Sequence, residues 1–280
     1  TVRRTGGRRM KTRVIVGLLL VLLLISVLYF GGFILLSVLS LFSIAAIYEM
    51  GLTFRKKGYT PIVIPAYVFA VGYSFIYFYF GLLPMIIFYM TAVMTTMIYS
   101  LFTKAHSTND VIPSLFIMNY PTLFLMCMLL VYFSFDRPTA LVAACMAYAA
   151  PECSDTFAYF GGTLLGKHKL CPAISPKKTV EGAAFALLGG VVFGFVVFYL
   201  QRLWGGAVQM SVLLPLGLGC GVLSQFGDLF ASTLKRWAGV KDFSSVFPGH
   251  GGIIDRIDSI MFCTPLVLCV FVILRTLGTL

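Results

Sequence analysis

Residues 224–258 read SQFGDLFASTLKRWAGVKDFSSVFPGHGGIIDRID, and apolar sequence lies on both sides of them. This stretch holds four of the ten acidic residues of the chain, which are Asp228, Asp242, Asp255 and Asp258. Ionisable side chains at membrane depth are costly, and they are therefore functional candidates. We interpret the stretch as half of an active site that lies between two membrane helices.

The composition indicates a polytopic helical membrane protein. Of the 280 residues, 59% are hydrophobic and 11% are charged, whereas soluble domains carry about 25% charged residues. Apolar runs of about 20 residues, the length that crosses a hydrocarbon core, recur along the chain. The short alternating segments of an outer-membrane barrel are absent from the sequence. The net charge of +11 is scattered between apolar runs, which favours membrane lipids as partners and argues against nucleic acid.

The hydropathy pattern predicts an all-α membrane protein with about nine transmembrane helices. The expected spans are 13–30, 33–50, 61–80, 82–102, 112–133, 139–161, 180–200, 211–234 and 253–274. We expect residues 1–9 to be a remnant of an expression tag, because Met10 followed by Lys11 resembles a natural start. Without them, the loops on one side hold 13 Lys and Arg residues and those on the other side hold 3. The positive-inside rule then predicts a cytoplasmic amino terminus and an outside carboxyl terminus.

The polar residues divide the chain into two regions. Residues 10–135 are predicted to form an amino-terminal transmembrane scaffold of about five spans. Residues 136–280 are predicted to form a catalytic region of about four spans. Its two long polar loops follow the sixth and eighth spans, and both are expected on the cytoplasmic side.

The eighth span carries Asp228 well inside apolar sequence. On a helix, Ser232, Lys235 and Arg236 fall on the same face as Asp228, one to two turns nearer the cytoplasm. This arrangement combines a carboxylate in the membrane with a cationic end. The alternative interpretation of Asp228 is an interhelical salt bridge with Lys235 or Arg256.

The ninth span begins with Asp255, Arg256 and Asp258, just after Gly249-His250-Gly251-Gly252. The glycines allow close backbone approach and leave room for a polyanion. Antiparallel packing can bring Asp228 opposite Asp255, and two carboxylates at one depth repel each other unless a cation or a proton lies between them. Mg²⁺ commonly binds through one or two carboxylates plus substrate phosphates. Asp228 and Asp255 are therefore the predicted metal ligands.

A second polar stretch runs from Pro151 to Gly182 and reads PECSDTFAYFGGTLLGKHKLCPAISPKKTVEG. It supplies Asp155 from the sixth span, followed by a loop with several lysines. Lysine serves phosphate as a mobile point charge, and the amino terminus of the seventh span can bind an anion. The candidates for substrate binding in this stretch are Asp155, Lys167, Ser175, Lys177, Lys178 and Thr179. The alternative is that the lysines reflect only membrane topology and that Thr179 caps a helix.

At these residues the sequence resembles the phosphatidate cytidylyltransferases, also called CDP-diacylglycerol synthases. The carboxyl-terminal signature of the family stands here as Ser232-Thr-Leu-Lys235-Arg236, Lys241-Asp242, Pro248-Gly-His250-Gly251-Gly252 and Asp255-Arg256-Ile-Asp258. The upstream motif is matched by Asp155, Tyr159, Gly161, Gly166, Lys167, Ser175-Pro-Lys177-Lys178-Thr179 and Glu181-Gly182. A mild departure is Glu152-Cys153, where smaller or more polar residues are expected. The amino-terminal half is similar only in hydropathy and in the Met10-Lys-Thr-Arg13 start.

The resemblance implies the conversion of CTP and phosphatidic acid into CDP-diacylglycerol and pyrophosphate with Mg²⁺, and a second cation is compatible with it. It implies catalytic roles for Asp228, Asp255, Lys235, Arg236 and Asp258. Further contacts with the substrates are expected from Ser232, Lys241, His250, Gly251, Gly252 and Arg256. The expected location is the bacterial inner membrane, with the active site facing the cytoplasm. A homodimer is also an expectation from the family.

Two other functions use the same residues. A CTP-dependent lipid kinase would transfer the terminal phosphoryl group to a polyprenol-type alcohol and would release CDP. An ion-coupled transporter would use Asp228 and Asp255 as its ion site. Many ion-coupled transporters are built from two repeated halves, whereas this sequence shows no internal repeat.

Overall fold

The computed structural model of the protein describes residues 17–19, 22–23, 25–103, 108–247 and 251–280. Helices account for most of these residues. They are α1 (Gly32–Arg55), α2 (Ile64–Phe80), α3 (Leu82–Phe102), α4 (Thr108–Asn119), α5 (Thr122–Phe133), α6 (Arg137–Leu165), α7 (Val180–Leu200), α8 (Met210–Ala238) and α9 (Ile254–Thr276). A two-stranded antiparallel sheet, β1 (Lys169–Cys171) and β2 (Ser175–Thr179), joins α6 to α7, and a 3₁₀ turn (Gln201–Trp204) follows α7.

The predicted all-α membrane fold is confirmed. Within the described residues, six helical segments are long and apolar enough to cross a membrane: Gly32–Arg55, Leu82–Phe102, Asn109–Phe133, Val180–Trp204, Met210–Ala238 and Ile254–Thr276. Helix α2 is a shorter apolar helix. The count of nine spans and the orientation of the termini stay predictions, and residues 13–16, 20–21 and 24 of the predicted span 13–30 lie outside the described residues.

The fifth predicted span is two helices in the structure. Helix α4 ends at Asn119 and α5 begins at Thr122, so the break falls at Tyr120 and Pro121. Proline has no amide hydrogen to continue the helical ladder. Leu125 N nevertheless bonds Pro121 O at 3.1 Å, so the backbone bonding resumes at once. The segment therefore retains the length of a single span.

The described residues fall into two compact units, which we call the first unit and the second unit. The first unit comprises the chain up to residue 126 together with 237–256. The second unit comprises 127–236 and 257–280. The predicted regions 10–135 and 136–280 were defined by chemistry, and that division stays a prediction.

In the first unit, α1 and α2 are joined by polar side chains within an apolar core. Ser40 Oγ and Ser74 Oγ lie 2.8 Å apart, and Ser43 Oγ donates a hydrogen bond to the hydroxyl oxygen of Tyr73 at 3.3 Å. All four residues are buried. Hydrogen bonds between helices satisfy polar groups that would otherwise face hydrocarbon. These bonds fix α1 against α2.

In the second unit, α7 and α8 meet along a line of glycines. A Cβ atom added to Gly190 would lie 2.0 Å from the carbonyl oxygen of Gly217, and one added to Gly194 would lie 2.4 Å from that of Leu213. Small residues at such positions let membrane helices approach backbone to backbone. The sequence pattern Gly190-x-x-x-Gly194 on α7 and Gly217-x-x-x-Gly221 on α8 thus defines how the two helices cross.

The β1–β2 hairpin presents the predicted lysines just before α7. Lys169 pairs with Thr179 and Cys171 pairs with Ser175. Thr179 is the N-cap of α7, because its Oγ1 accepts a hydrogen bond from Gly182 N at 3.1 Å. The cap fixes the end of β2, and Lys178 therefore lies directly before the first turn of α7.

Candidate active site

The second unit contains a polar cluster around Asp228 of α8. The ammonium group of Lys178 lies 2.7 Å from Asp228 Oδ2, and the hydroxyl of Ser232 donates to Asp228 Oδ1 at 3.4 Å. The side chains of Lys178 and Asp228 are 23% and 33% exposed. This ion pair joins the hairpin before α7 to the carboxyl-terminal half of α8. The salt bridge considered for Asp228 from the sequence had Lys235 or Arg256 as its partner, and Lys178 was not among those candidates.

Two further carboxylates belong to the same cluster. Asp155 Oδ2 of α6 accepts a hydrogen bond from Ser259 Oγ at 2.9 Å, and Asp258 Oδ1 accepts one from Ser259 N at 2.8 Å. Asp258 is only 8% exposed. It lies close enough to Asp155, Asp228 and Lys235 for their charges to interact. We call Asp155, Lys178, Asp228, Ser232, Lys235, Asp258 and Ser259 the Asp228 cluster.

Gly227 explains why α8 and α9 meet at this depth. A Cβ atom at position 227 would lie 2.3 Å from the carbonyl oxygen of Asp258 and 3.1 Å from the Cα of Ser259. Only glycine permits such an approach. The residue before Asp228 therefore brings α8 against the first turns of α9.

The charge balance of the Asp228 cluster suits a divalent cation. Three carboxylates face two lysines, which leaves one net negative charge if all five groups are ionised. No group of three or more His, Cys, Asp or Glu side chains in the described part of the chain is arranged to hold a metal by itself. Mg²⁺ does not require such a cage, since it often uses one or two carboxylates together with substrate phosphates and water. The donor set thus fits Mg²⁺ held jointly with a phosphorylated substrate.

The first unit contains a second polar cluster, around Glu49 of α1. Glu49 is fully buried. Its Oε1 accepts hydrogen bonds from Ser244 Oγ at 2.6 Å and from Ile253 N at 2.7 Å, and its Oε2 accepts one from Ile254 N at 2.9 Å. Glu49 is not among the site residues predicted from the sequence. The available signal was a lone acid within an apolar span, which is a functional candidate on the same grounds as Asp228.

Asp255 lies in the first unit as well. Its Oδ2 accepts hydrogen bonds from Phe243 N and Gly252 N, both at 2.9 Å. A metal bound by Asp255 would have to share this carboxylate with two backbone donors. Asp228 and Asp255 belong to different units, so their predicted pairing at one metal stays a prediction.

The remaining predicted residues occupy three kinds of position. Lys167, Lys177, Arg236, Lys241 and Arg256 are exposed, whereas Ser175 is partly buried and Thr179 and Gly252 are buried. The Nε of Arg236 donates to Ile174 O at 3.3 Å, which ties the tip of the hairpin to the end of α8. Gly251 adopts a positive φ of 84°, a conformation that favours glycine. His250 lies outside the described residues.

Glu181 holds the turn that carries Lys167. Its carboxylate accepts hydrogen bonds from Lys167 N at 3.1 Å and His168 N at 3.3 Å, and it lies 2.7 Å from His168 Nδ1. Glu181 is the second residue of α7, where a negative charge is stabilised by the helix dipole. The turn after α6 and the start of α7 are thus held as one structure.

Comparison with known proteins gives one family match and several relatives. A family model described as "Cytidylyltransferase family" matches residues 11–274. A phosphatidate cytidylyltransferase of Thermotoga maritima is 35% identical over 158 residues, which cover 56% of this chain and 57% of the relative. The enzyme of the same name from Synechocystis is 44% identical over 131 residues, 46% of this chain and 43% of the relative. The one from Staphylococcus aureus strain COL is 46% identical over 116 residues, 41% of this chain and 43% of the relative. The chain thus spans about half the length of these relatives.

Proposed function

The chain belongs to the cytidylyltransferase family, and on this premise we propose that it transfers the cytidylyl group of CTP to phosphatidic acid. The products are CDP-diacylglycerol and pyrophosphate. The observation that carries the proposal is the Asp228 cluster, in which Lys178 and Asp228 form an ion pair 2.7 Å long among further carboxylates. The relatives named phosphatidate cytidylyltransferase support the choice of substrates.

The reaction needs no nucleophile from the protein. A phosphate oxygen of phosphatidic acid attacks the α-phosphorus of CTP, and the bond between that phosphorus and the bridging oxygen to the β-phosphate breaks. The electron pair leaves with pyrophosphate. The catalytic task is to hold two polyanions in line and to stabilise the charge on the leaving group.

The cationic side chains of the second unit suit that task. Lys178 and Lys235 belong to the Asp228 cluster, and Lys177 and Arg236 lie on the neighbouring hairpin and helix end. We assign these four side chains to the phosphates of the two substrates. Lys241 and Arg256 of the first unit are exposed and are further candidates for the same role.

Asp228 is the principal proposed ligand of Mg²⁺, with Asp155 and Asp258 as its acidic neighbours and Asp255 as the second ligand predicted from the sequence. Bound Mg²⁺ would neutralise charge on the phosphate oxygens of the substrates. Ser232 would orient the Asp228 carboxylate, since its hydroxyl donates to Oδ1. A second cation and a homodimer remain part of the proposal.

We place the active site at the cytoplasmic side of a bacterial inner membrane. The apolar helices support an integral membrane protein, and the relatives named above are bacterial. Phosphatidic acid would arrive laterally from the leaflet, whereas CTP would arrive from water. The excess of lysine and arginine on one side of the predicted spans supports this orientation.

The proposal is tested with purified protein in detergent, phosphatidic acid, Mg²⁺ and CTP labelled at the α-phosphate. The expected result is transfer of label into the organic phase with release of pyrophosphate, and loss of both in Asp228→Asn. Asp255→Asn is measured beside it. Asp136→Asn serves as the matched control, because Asp136 is an exposed N-cap of α6 and asparagine caps helices as well as aspartate does.

Two outcomes contradict the proposal. Label that remains in water as CDP would indicate a lipid kinase. If CTP is not consumed although a cooperative thermal transition shows that the protein is folded, both enzyme functions are overturned. Ion-coupled transport through Asp228 and Asp255 would then be the function to test.

A further inference from the structure

Glu49 is a buried acid for which the proposed reaction has no direct use. Within the described part of the chain, its side chain accepts three hydrogen bonds, all from a segment (residues 243–247 and 251–255) about 200 residues away in sequence. A charged group inside a protein requires partners that compensate for the loss of water. Here those partners are one hydroxyl and two backbone N–H groups, so the carboxylate and the segment depend on each other.

The contact lies at the amino terminus of α9. Ile254 is the first residue of that helix and Ile253 precedes it. The first N–H groups of a helix have no partner within the helix, and the helix dipole favours a negative charge beside them. Glu49 therefore caps α9 from a different helix.

Gly252 shows how closely Glu49 fits. A Cβ atom at position 252 would lie within 2.5 Å of the carboxylate carbon and of both its oxygens. The N–H of Gly252 in turn bonds Asp255, which also holds Phe243 N. Asp255 thus holds Phe243 and Gly252, and Glu49 holds Ser244, Ile253 and Ile254. The position of Gly251-Gly252 depends on both acids.

We propose that Glu49 is a positioning residue for cytidylyl transfer, which sets residues 243–247 and 251–255 in the arrangement that the nucleotide requires. The inference rests on the proposed function, because Gly251 and Gly252 are predicted to contact the substrates and Asp255 is a predicted metal ligand. Glu49 does not touch the substrates. Its effect reaches them through Gly251, Gly252 and the first turn of α9.

The first experiment needs no substrate and measures hydrogen exchange in the detergent-solubilised protein. Glu49→Gln keeps the size of the side chain but replaces one carboxylate oxygen by an NH₂ group. This group cannot accept a hydrogen bond from a backbone N–H. Amides of residues 243–247 and 251–254 are expected to exchange at least about tenfold faster, because a lost buried partner favours local opening. Peptides from α6 and α7 are expected to keep the rates of the wild type. Tyr48→Phe is the matched control, since Tyr48 is the exposed neighbour of Glu49 on the same helix.

The second experiment separates positioning from general stability by steady-state kinetics. In Glu49→Gln, KM for CTP is expected to rise by about tenfold, whereas KM for phosphatidic acid changes less than about twofold. Glu49→Asp keeps the charge and is expected to recover part of the affinity for CTP. Equal losses with both substrates, or no gain of Glu49→Asp over Glu49→Gln, would overturn the inference.

Ser244→Ala provides a variant that removes one of the three hydrogen bonds and retains the buried carboxylate. We expect faster exchange in the same segment, to a smaller extent than in Glu49→Gln. Unchanged exchange of residues 243–247 and 251–254 in both Ser244→Ala and Glu49→Gln would refute the role of Glu49. A wild-type protein that makes no CDP-diacylglycerol would instead refute the proposed function, while the exchange experiment would still decide whether Glu49 holds the segment.

Discussion

The Lys178 ammonium group lies 2.7 Å from Oδ2 of Asp228, so a residue assigned to substrate phosphate contacts the residue assigned to the metal. The pair links the hairpin before α7 to α8. Because Lys178 pairs with Asp228 in this arrangement, the proposed binding of Mg²⁺ at that oxygen would require Lys178 to move away. A substrate phosphate offers Lys178 an alternative partner. The proposed function therefore predicts that metal and nucleotide bind cooperatively.

Lys178→Gln tests this cooperation. Without nucleotide, the variant is expected to bind Mn²⁺ about tenfold more tightly than the wild type, because a positive charge close to the ligand opposes a second cation. The same variant is expected to lose most of its transfer activity. Titration followed by electron paramagnetic resonance measures free Mn²⁺ directly. Weaker binding of Mn²⁺ in Lys178→Gln would contradict the competition.

Gly227→Ala is expected to destabilise the second unit by about 1–3 kcal/mol, because the added methyl group would overlap backbone atoms of α9. Gly219→Ala is the matched control on the same helix. Its Cβ would meet only the end of the Leu266 side chain at 2.7 Å, and that side chain can rotate. Thermal unfolding in detergent compares the two variants. Equal midpoints would show that the α8–α9 contact at Gly227 is looser than described.

Thr179 has a structural role that can be separated from substrate binding. Thr179→Ala removes the cap of α7 and is expected to lower the free energy of unfolding by about 1 kcal/mol, whereas Thr179→Ser retains the cap. The measurement is thermal unfolding of both variants beside the wild type. KM for CTP, determined in parallel, shows whether Thr179 also contacts the nucleotide. A destabilised Thr179→Ser would mean that the methyl group matters more than the hydroxyl.

Glu181→Gln is expected to loosen the turn at Lys167 and His168, since the carboxylate there accepts backbone hydrogen bonds from both residues. Trypsin should then cleave after Lys167 several-fold faster, because cleavage follows local opening. Cleavage after Lys57, in the exposed segment 55–57, is the internal reference. Identical ratios of the two cleavages in variant and wild type would contradict a holding role for Glu181.

The transmembrane character was predictable because it depends on local composition. The predicted span 180–200 coincides with α7, and the spans 211–234 and 253–274 differ from α8 and α9 by one to four residues. The spacing of the acidic and basic residues in the last half of the chain also identified them as candidate site residues. The break between α4 and α5 was missed, although Pro121 is a local signal, because the apolar run continues across it.

The sequence by itself determined that the chain is a helical membrane protein of a recognisable family and that Asp228, Asp155 and Asp258 are unusual acids for such a chain. Long apolar runs and motif spacing are properties of neighbouring residues, so they can be read without coordinates. The tertiary structure alone decided that Lys178 is the partner of Asp228, that Ser259 holds Asp155, and that Glu49 caps α9. These partners come from distant parts of the chain, and packing decides which donors reach which carboxylate.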